Sequence, residues 1–283
     1  MRILAEHLGI TRACQLVGLS RSTYYHTPSD RADDAALVEA LHQEAGLYPT
    51  YGYRRLTVMV RRHHPRFRRV NKKRVQRVMK TAGMQVKRRR KARHTTNSVH
   101  GFKRYPNLVL ELTVTHPDQV WVCDIAAVLL ADGHEVYLAI VLDVFTRAIR
   151  GWELARDLTH ALTLAALRRA LAHGVPEIHH SDQGVQYATP KYTAKLEALH
   201  VSLSMAEVGQ AWQNGYAERW IRTLREEEET LTEYQDFTDA YQQIGRFIDH
   251  VYNRRRIHSA LGYIAPAEFE AQWRAQQNAP GNP

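Results

Sequence analysis

Ile178-His179-His180-Ser181-Asp182-Gln183-Gly184 reads as a short apolar strand that ends on a carboxylate and is then broken by a glycine. Two other acidic residues stand in comparable settings. Asp124 closes the strand-like run Gln119-Val120-Trp121-Val122-Cys123, and Glu218 lies on a helical stretch that starts near Asn214. Three carboxylates drawn from two strands and a helix make an all-oxygen site, the kind hard cations such as Mg²⁺ prefer. Two such cations about 3.5–4 Å apart clamp the attacking and leaving oxygens of an in-line phosphoryl displacement. Asp124, Asp182 and Glu218 are therefore the expected catalytic and metal-binding residues, with Mg²⁺ as cofactor and Mn²⁺ as a substitute. Spacing alone is weak evidence, because a chain with 29 acidic residues offers many such triples.

The surroundings of these residues alternate between strand and helix patterns. Val120–Ile125, Val136–Asp143 and Ile149–Leu154 read as strands, the second following an Asp132-Gly133 turn. A helix follows from Thr159 to about Ala172, then the strand Ile178–Ser181. A helix starts at Thr189-Pro190, and a last short strand covers Val201–Ser204 before the Glu218 helix. The β-β-β-α-β-α-β-α order suits an α/β fold in which a mixed sheet carries helices on both faces. On a helical wheel, Arg222 and Arg225 share the edge of Glu218, while Tyr216, Trp220 and Leu224 lie opposite. Asp236 and Pro266 mark the starts of two further helices.

Charge is distributed unevenly. The formal net charge is +10, yet residues 54–93 hold 18 Lys and Arg and no acidic residue, leaving the remainder net negative. One segment therefore carries the whole positive excess, as expected of a dedicated polyanion-binding module. Helical patterns cover 31–46, 56–62 and 72–81, the last capped by Asn71 and stopped by Gly83. The expected DNA contacts are Arg54, Arg55, Lys72, Lys73, Arg74 and Arg77 on these helices. Lys87, Arg88, Arg89 and Arg90 extend the set into a like-charge block. Residues 4–26 read either as a helix-turn-helix or as a small helical hairpin packed on a neighbour. The expected domains are a helix-turn-helix-like segment (1–28), a basic helical DNA-binding domain (29–93), a linker (94–116), a catalytic domain (117–275) and a disordered tail (276–283).

Trp121-Val122-Cys123-Asp124, His180 to Tyr187 and Trp212-Gln213-Asn214-Gly215-Tyr216-Ala217-Glu218 resemble the three signature blocks of bacterial insertion-sequence transposases. The resemblance is to the second-reading-frame product of the copy-out/paste-in family, whose core is retroviral-integrase-like. It runs from Tyr51-Gly52-Tyr53-Arg54-Arg55 to Asn253–Gly262. It implies a ribonuclease-H-like catalytic fold and a DNA transposase that cuts 3′ ends and transfers strands. It also implies a basic residue seven positions after the glutamate, which is Arg225 here. Double-stranded DNA, self-association on DNA and a frameshift fusion with an upstream-frame protein are implied partners. A branched figure-eight followed by a circle is the implied product. A hydrolytic nuclease of the same fold and a non-catalytic DNA-binding regulator are the rival readings.

Asp143 is the main rival to Asp124, and inside an apolar strand it needs a partner such as Arg147 or Arg150. Glu226 to Glu229 read as a solvated face, and His180 as a residue bordering the site. His63-His64 and His179-His180 lack cysteine partners at zinc spacing, so no zinc is expected. Cys14 and Cys123 form no redox or metal pattern, and no apolar run reaches membrane-spanning length. A cytoplasmic, nucleoid-associated protein is expected.

Overall fold

The computed structural model describes residues 2–25, 32–86, 103–207 and 209–278. The chain divides into two compact units, Met1–Val86 and Lys87–Pro283.

The first unit is helical. Three short helices, α1 (Arg2–Leu8), α2 (Ile10–Leu16) and α3 (Arg21–Tyr25), precede α4 (Ala32–Leu47), α5 (Tyr53–His63) and α6 (Lys72–Thr81). Asn71 caps α6 by accepting from the Lys73 N–H at 2.8 Å. Beyond its end, Gly83 takes a left-handed φ of 70°. Leu37, Leu41, Leu56, Met59, Val60, Val75, Val78 and Met79 form the buried seam of α4–α6. The basic side chains of α5 and α6 are thereby turned to the outer face. Buried Glu44 accepts from both His63 and His64, at 2.9 and 3.1 Å, which ties the end of α5 back to α4.

The second unit is built on a five-stranded mixed sheet in the order β3-β2-β1-β4-β5. Its strands are β1 (Val120–Leu129), β2 (Glu135–Asp143), β3 (Ile149–Ala155), β4 (Ile178–Ser181) and β5 (Ser202–Met205). β1, β2 and β3 form an antiparallel meander, while β4 and β5 run parallel to β1. The helices are α7 (His160–Leu171), α8 (Val185–Ala188), α9 (Pro190–Glu197), α10 (Gly215–Leu224), α11 (Phe237–Arg246) and α12 (Pro266–Gln277). The expected ribonuclease-H-like order is present, with α8 as an extra short turn and β1 four residues longer than its apolar run suggested.

Alternation along the strands splits the core into two layers. Val120, Val122, Leu138, Ile140 and Leu142 pack on one face against Trp220, Leu224, Ile244 and Ile248. Trp121, Cys123, Ala139 and Val141 pack on the other against Leu167, Ala170, Tyr192 and Leu196. α7 lies directly on β3 at Gly151, where an added Cβ would stand 2.2 Å from the Ala166 carbonyl oxygen and 2.5 Å from the Ala170 nitrogen.

Asp143 is fully buried and acts as structural cement. It accepts from the Thr146 hydroxyl at 2.5 Å and lies 3.4 Å from Arg150. Arg150 also binds Asp118 at 2.9 Å and Glu270 at 2.7 Å, which fastens α12 to the sheet. Asn253 does the same for the free edge of β3: its amide donates to the Ile149 carbonyl and accepts from the Ile149 N–H, at 3.0 and 2.9 Å.

Residues 103–116, expected as linker, pack along this unit. Leu108 N–H donates to Ser204 Oγ, Asn107 to Gln213, and Tyr105 to Glu197. The expectation for residues 94–102 and most of that for the tail (279–283) lie outside the described residues. Among the described residues, no helix is long and apolar enough to cross a membrane.

Candidate active site

The β-sheet register brings the two aspartates together. β1 and β4 pair in parallel with Val120 opposite Ile178, Trp121 opposite His179 and Val122 opposite His180. The same register continued by two residues sets Asp124 beside Asp182. Neighbouring strands lie about 4.8 Å apart, and equal offsets put both side chains on one face. Each carboxylate is also fixed by a local backbone N–H: Ile125 donates to Asp124 at 2.8 Å and Gly184 donates to Asp182 at 3.0 Å. The glycine matters here, since a Cβ at position 184 would lie 2.9 Å from Asp182 Oδ1. Asp124 and Asp182 line one small pocket with Ile125, Leu158, Gly184, Gln186 and Tyr187.

Glu218 comes from the opposite direction. Asn214, buried at the start of α10, donates to the Cys123 carbonyl at 2.9 Å, one residue before Asp124. Glu218 is one helical turn further on, so it shares the face of α10 turned toward β1. Its charge reaches Asp124, whose carboxyl is pushed up to about 8. Burial is the main cause and the Asp182 carboxylate the next; Glu218 adds to the shift, while the Ile125 N–H and the Arg225 guanidinium oppose it. Asp124, Asp182, Glu218 and Arg225 thus form one electrostatic cluster. Among the described residues, no three acidic, histidine or cysteine side chains stand close enough to cage a metal ion as they are. Asp124 and Asp182 share the pocket, and Glu218 stands outside its lining.

The chain matches the integrase core domain family twice, over residues 114–211 and 199–266, and the HTH-like domain family over 29–92. It is 35% identical over 270 residues to a 31 kDa protein of insertion element IS600 from Shigella sonnei, covering 92% of this chain and 98% of that one. The chain belongs to the insertion-sequence transposase family. A second relative, the transposase of insertion sequence element IS904 from Lactococcus lactis, is 31% identical and covers 71% of this chain and 80% of its own. The catalytic core domain of HTLV-2 integrase aligns with a TM-score of 0.44 at 15% identity, over 55% of this chain and 97% of that one. The two aspartates of this transposase fall in the first integrase-core match, and Glu218 in the second.

Other parts of the site carry less sequence signal. Beneath Asp124, Cys123 Sγ and His179 Nε2 are 3.0 Å apart, and the Tyr192 hydroxyl is 2.9 Å from the same nitrogen. Burial drives His179 down to about 3, with the charge of His180 adding to it, and drives His180 down to about 4. Both imidazoles are therefore neutral; His180 packs against Ser204 at 2.8 Å, linking β4 to β5.

The Glu226–Glu229 run is not a solvated face: only Glu226 is exposed. A π turn over Arg225–Glu229 changes the winding, which a regular wheel cannot foresee. Glu227 takes both bonds of a fork from Arg256, itself 3% exposed, at 2.8 Å each. Burial pushes Glu229 up to about 7, opposed by Arg225 and reinforced by Glu228.

In the first unit, Lys72 and Lys73 are exposed on the first turn of α6 and Arg54 on α5. Arg55 lies over the Tyr51 ring at 5.0 Å, and Tyr51 stacks on Tyr48. Arg74 and Arg77 are held by Asp34 of α4, at 3.0 and 2.8 Å. This partner lies outside the basic segment, so the segment's own lack of acidic residues did not reveal it. Lys87, Arg88, Arg89 and Arg90 lie outside the described residues.

The raised Asp124 pKa has a consequence for stability. Its folded value stands above its ordinary value of 3.8, so ionising it disfavours the fold as pH rises from about 4 to about 8. Asp124→Asn removes that penalty. At pH 8 in EDTA the variant is expected to be more stable by on the order of 2 kcal/mol, several degrees in Tm, after allowance for coupling to Asp182. Near pH 4 the two proteins should melt together. Identical melting at both pH values would show that neither burial nor the neighbouring carboxylates hold Asp124 above its ordinary value.

Proposed function

We propose that this transposase cuts the 3′ ends of its insertion sequence and transfers them to a second phosphodiester in one divalent-metal site. Asp124, Asp182 and Glu218 would hold Mg²⁺, or Mn²⁺ in its place. The observation that carries this reading is the parallel β1–β4 pairing, which aligns Asp124 with Asp182, together with the Asn214 bond that turns Glu218 toward them. The donor set fits hard cations, being all oxygen. Burial raises Asp124 most, and the Asp182 and Glu218 charges that add to it are the surplus negative charge that such a cation neutralises. When bound, the metal supplies Lewis-acid activation of the attacking hydroxyl and stabilisation of the leaving oxygen.

The chain's own contribution is positioning. The Ile125 and Gly184 N–H groups orient the two aspartates, and Asn214 sets the approach of α10. Arg225, within electrostatic reach of Asp124, binds the phosphate beside the scissile bond without entering the metal shell. In the first unit, Arg54, Arg55, Lys72, Lys73, Arg74 and Arg77 bind duplex DNA through its phosphates, continued by Lys87, Arg88, Arg89 and Arg90. The acting species pairs two DNA ends and is therefore an oligomer, with a frameshift fusion to an upstream-frame protein as the further partner that the family resemblance implies.

The test is to incubate purified protein with linear DNA carrying the element's terminal repeats and Mg²⁺, then map the labelled strands. Cleavage that exposes a 3′-hydroxyl, followed by a joined strand, is expected. Cut strands that never join would identify a nuclease of the same fold instead.

A further inference from the structure

The loop and helix that carry Glu218 have an outer face with its own chemistry. Trp212 is 63% exposed and Tyr216 48%, both unusually open for large aromatic side chains. They sit two residues before and two residues after Asn214, which points inward to the Cys123 carbonyl. At about 100° per residue, both rings therefore emerge on the side away from the core, about one helical turn apart. Neither is loose. The Trp212 indole N–H donates to Gln210 Oε1 at 2.6 Å. The Tyr216 ring is backed by the Arg147 guanidinium, 4.0 Å from its centroid. Arg147 belongs to the β2–β3 turn, where it adopts a left-handed φ of 63°, uncommon for a residue other than glycine. Among the described residues its Nη1 is buried without a hydrogen-bond partner, and the guanidinium is spent on the ring contact. Arg219 and Arg222 add exposed positive charge on the following turn, Arg219 3.6 Å from Glu226.

Pinned, exposed aromatics among arginines are the composition of a surface on which nucleic acid bases stack while cations follow the backbone. A helix with side chains is about 10–12 Å across, so these rings stand within one or two nucleotides of a phosphate held at Glu218. Resting on the function proposed above, we infer that Trp212 and Tyr216 form a stacking platform for unpaired bases of the DNA end next to the cut. Trp212 supplies the open face, and Arg147 keeps Tyr216 upright beside it. The platform offsets the cost of opening the terminal base pairs, and that is the step it accelerates.

Two readouts test this, one of them independent of joining. DNA ends carrying 2-aminopurine as an unpaired penultimate base are mixed with the full chain without metal. The bound base should be quenched by wild type and by Trp212→Phe, and should be at least about threefold brighter with Trp212→Ala at equal DNA occupancy. In the joining assay, Trp212→Ala should slow fully paired ends about tenfold, by the loss of one stacked base. It should come within about threefold of wild type on ends whose last two pairs are mismatched. Equal brightness in all three proteins overturns the platform, as does an equal loss on paired and mismatched ends. If wild type quenches the base yet joins nothing in Mg²⁺ or Mn²⁺, the platform stands and the catalytic reading fails.

Discussion

Asp182→Asn is expected to lower DNA joining by a factor on the order of 10³ or more, because it removes several kcal/mol of metal-mediated charge stabilisation. The substitution keeps the side chain's volume. Its amide oxygen can still accept from the Gly184 N–H, so the β4–α8 turn is retained. Folding and DNA affinity should therefore stay near wild type, checked by circular dichroism and by electrophoretic mobility shift. Asp143→Asn is the contrasting variant. Asp143 pairs with Trp121, three residues along β1 from Asp124, and serves Arg150 and Thr146. Leaving Arg150 short of one counter-charge lowers Tm, while the joining rate per folded molecule is kept. If Asp182→Asn joined DNA within tenfold of wild type, metal ligation would have to rest elsewhere.

Gly151→Ala is expected to have the largest effect on stability. The added methyl would meet the backbone of α7, 2.2 Å from the Ala166 oxygen and 2.5 Å from the Ala170 nitrogen. No rotamer change relieves a clash between two backbones. Either α7 lifts off β3 or the strand bends, and both open the layer that holds Leu167, Ala170 and Ala139. Overpacking of this kind typically costs about 1–3 kcal/mol, and contact with helix backbone puts this case at or above the upper end. Urea unfolding monitored by tryptophan fluorescence should show the loss. Gly245→Ala is the milder comparison, since its Cβ would meet only the outer edge of the Trp152 ring, at 2.8 Å. Equal stability of Gly151→Ala and wild type would mean that the α7–β3 packing is looser than described.

What the sequence disclosed, and what it hid, follows the range of the interactions. β2 and β3, the Asn71 and Asp236 caps and the α6 boundaries are written in local patterns, and they stand where those patterns put them; β1 starts where its apolar run does but continues four residues beyond it. Asp124 and Asp182 were legible because each ends or interrupts an apolar strand. Their adjacency is a property of register, which no single segment encodes. Contacts across long sequence separations left no such trace. Asp34 meets Arg74 and Arg77 across about forty residues, and Glu227 meets Arg256 across 29. A charge run judged on its own therefore looked solvated, when part of it is a buried clasp. The π turns at Arg225–Glu229 and Phe247–Tyr252 break the regular winding that a helical wheel assumes. Asn214 had a signal that went unused: it precedes Glu218 by one turn and so had to share its inward face.

Glu218 is the critical member of the proposed site, because it stands outside the pocket shared by Asp124 and Asp182 while its charge still acts on Asp124. The decisive measurement is the rate of strand joining by Glu218→Gln across a Mg²⁺ titration, on DNA ends that the variant binds as wild type does. Completion of the metal site by Glu218 predicts that the folded variant neither cuts nor joins at any Mg²⁺ concentration that supports wild type. Normal joining by a well-folded Glu218→Gln protein would contradict it.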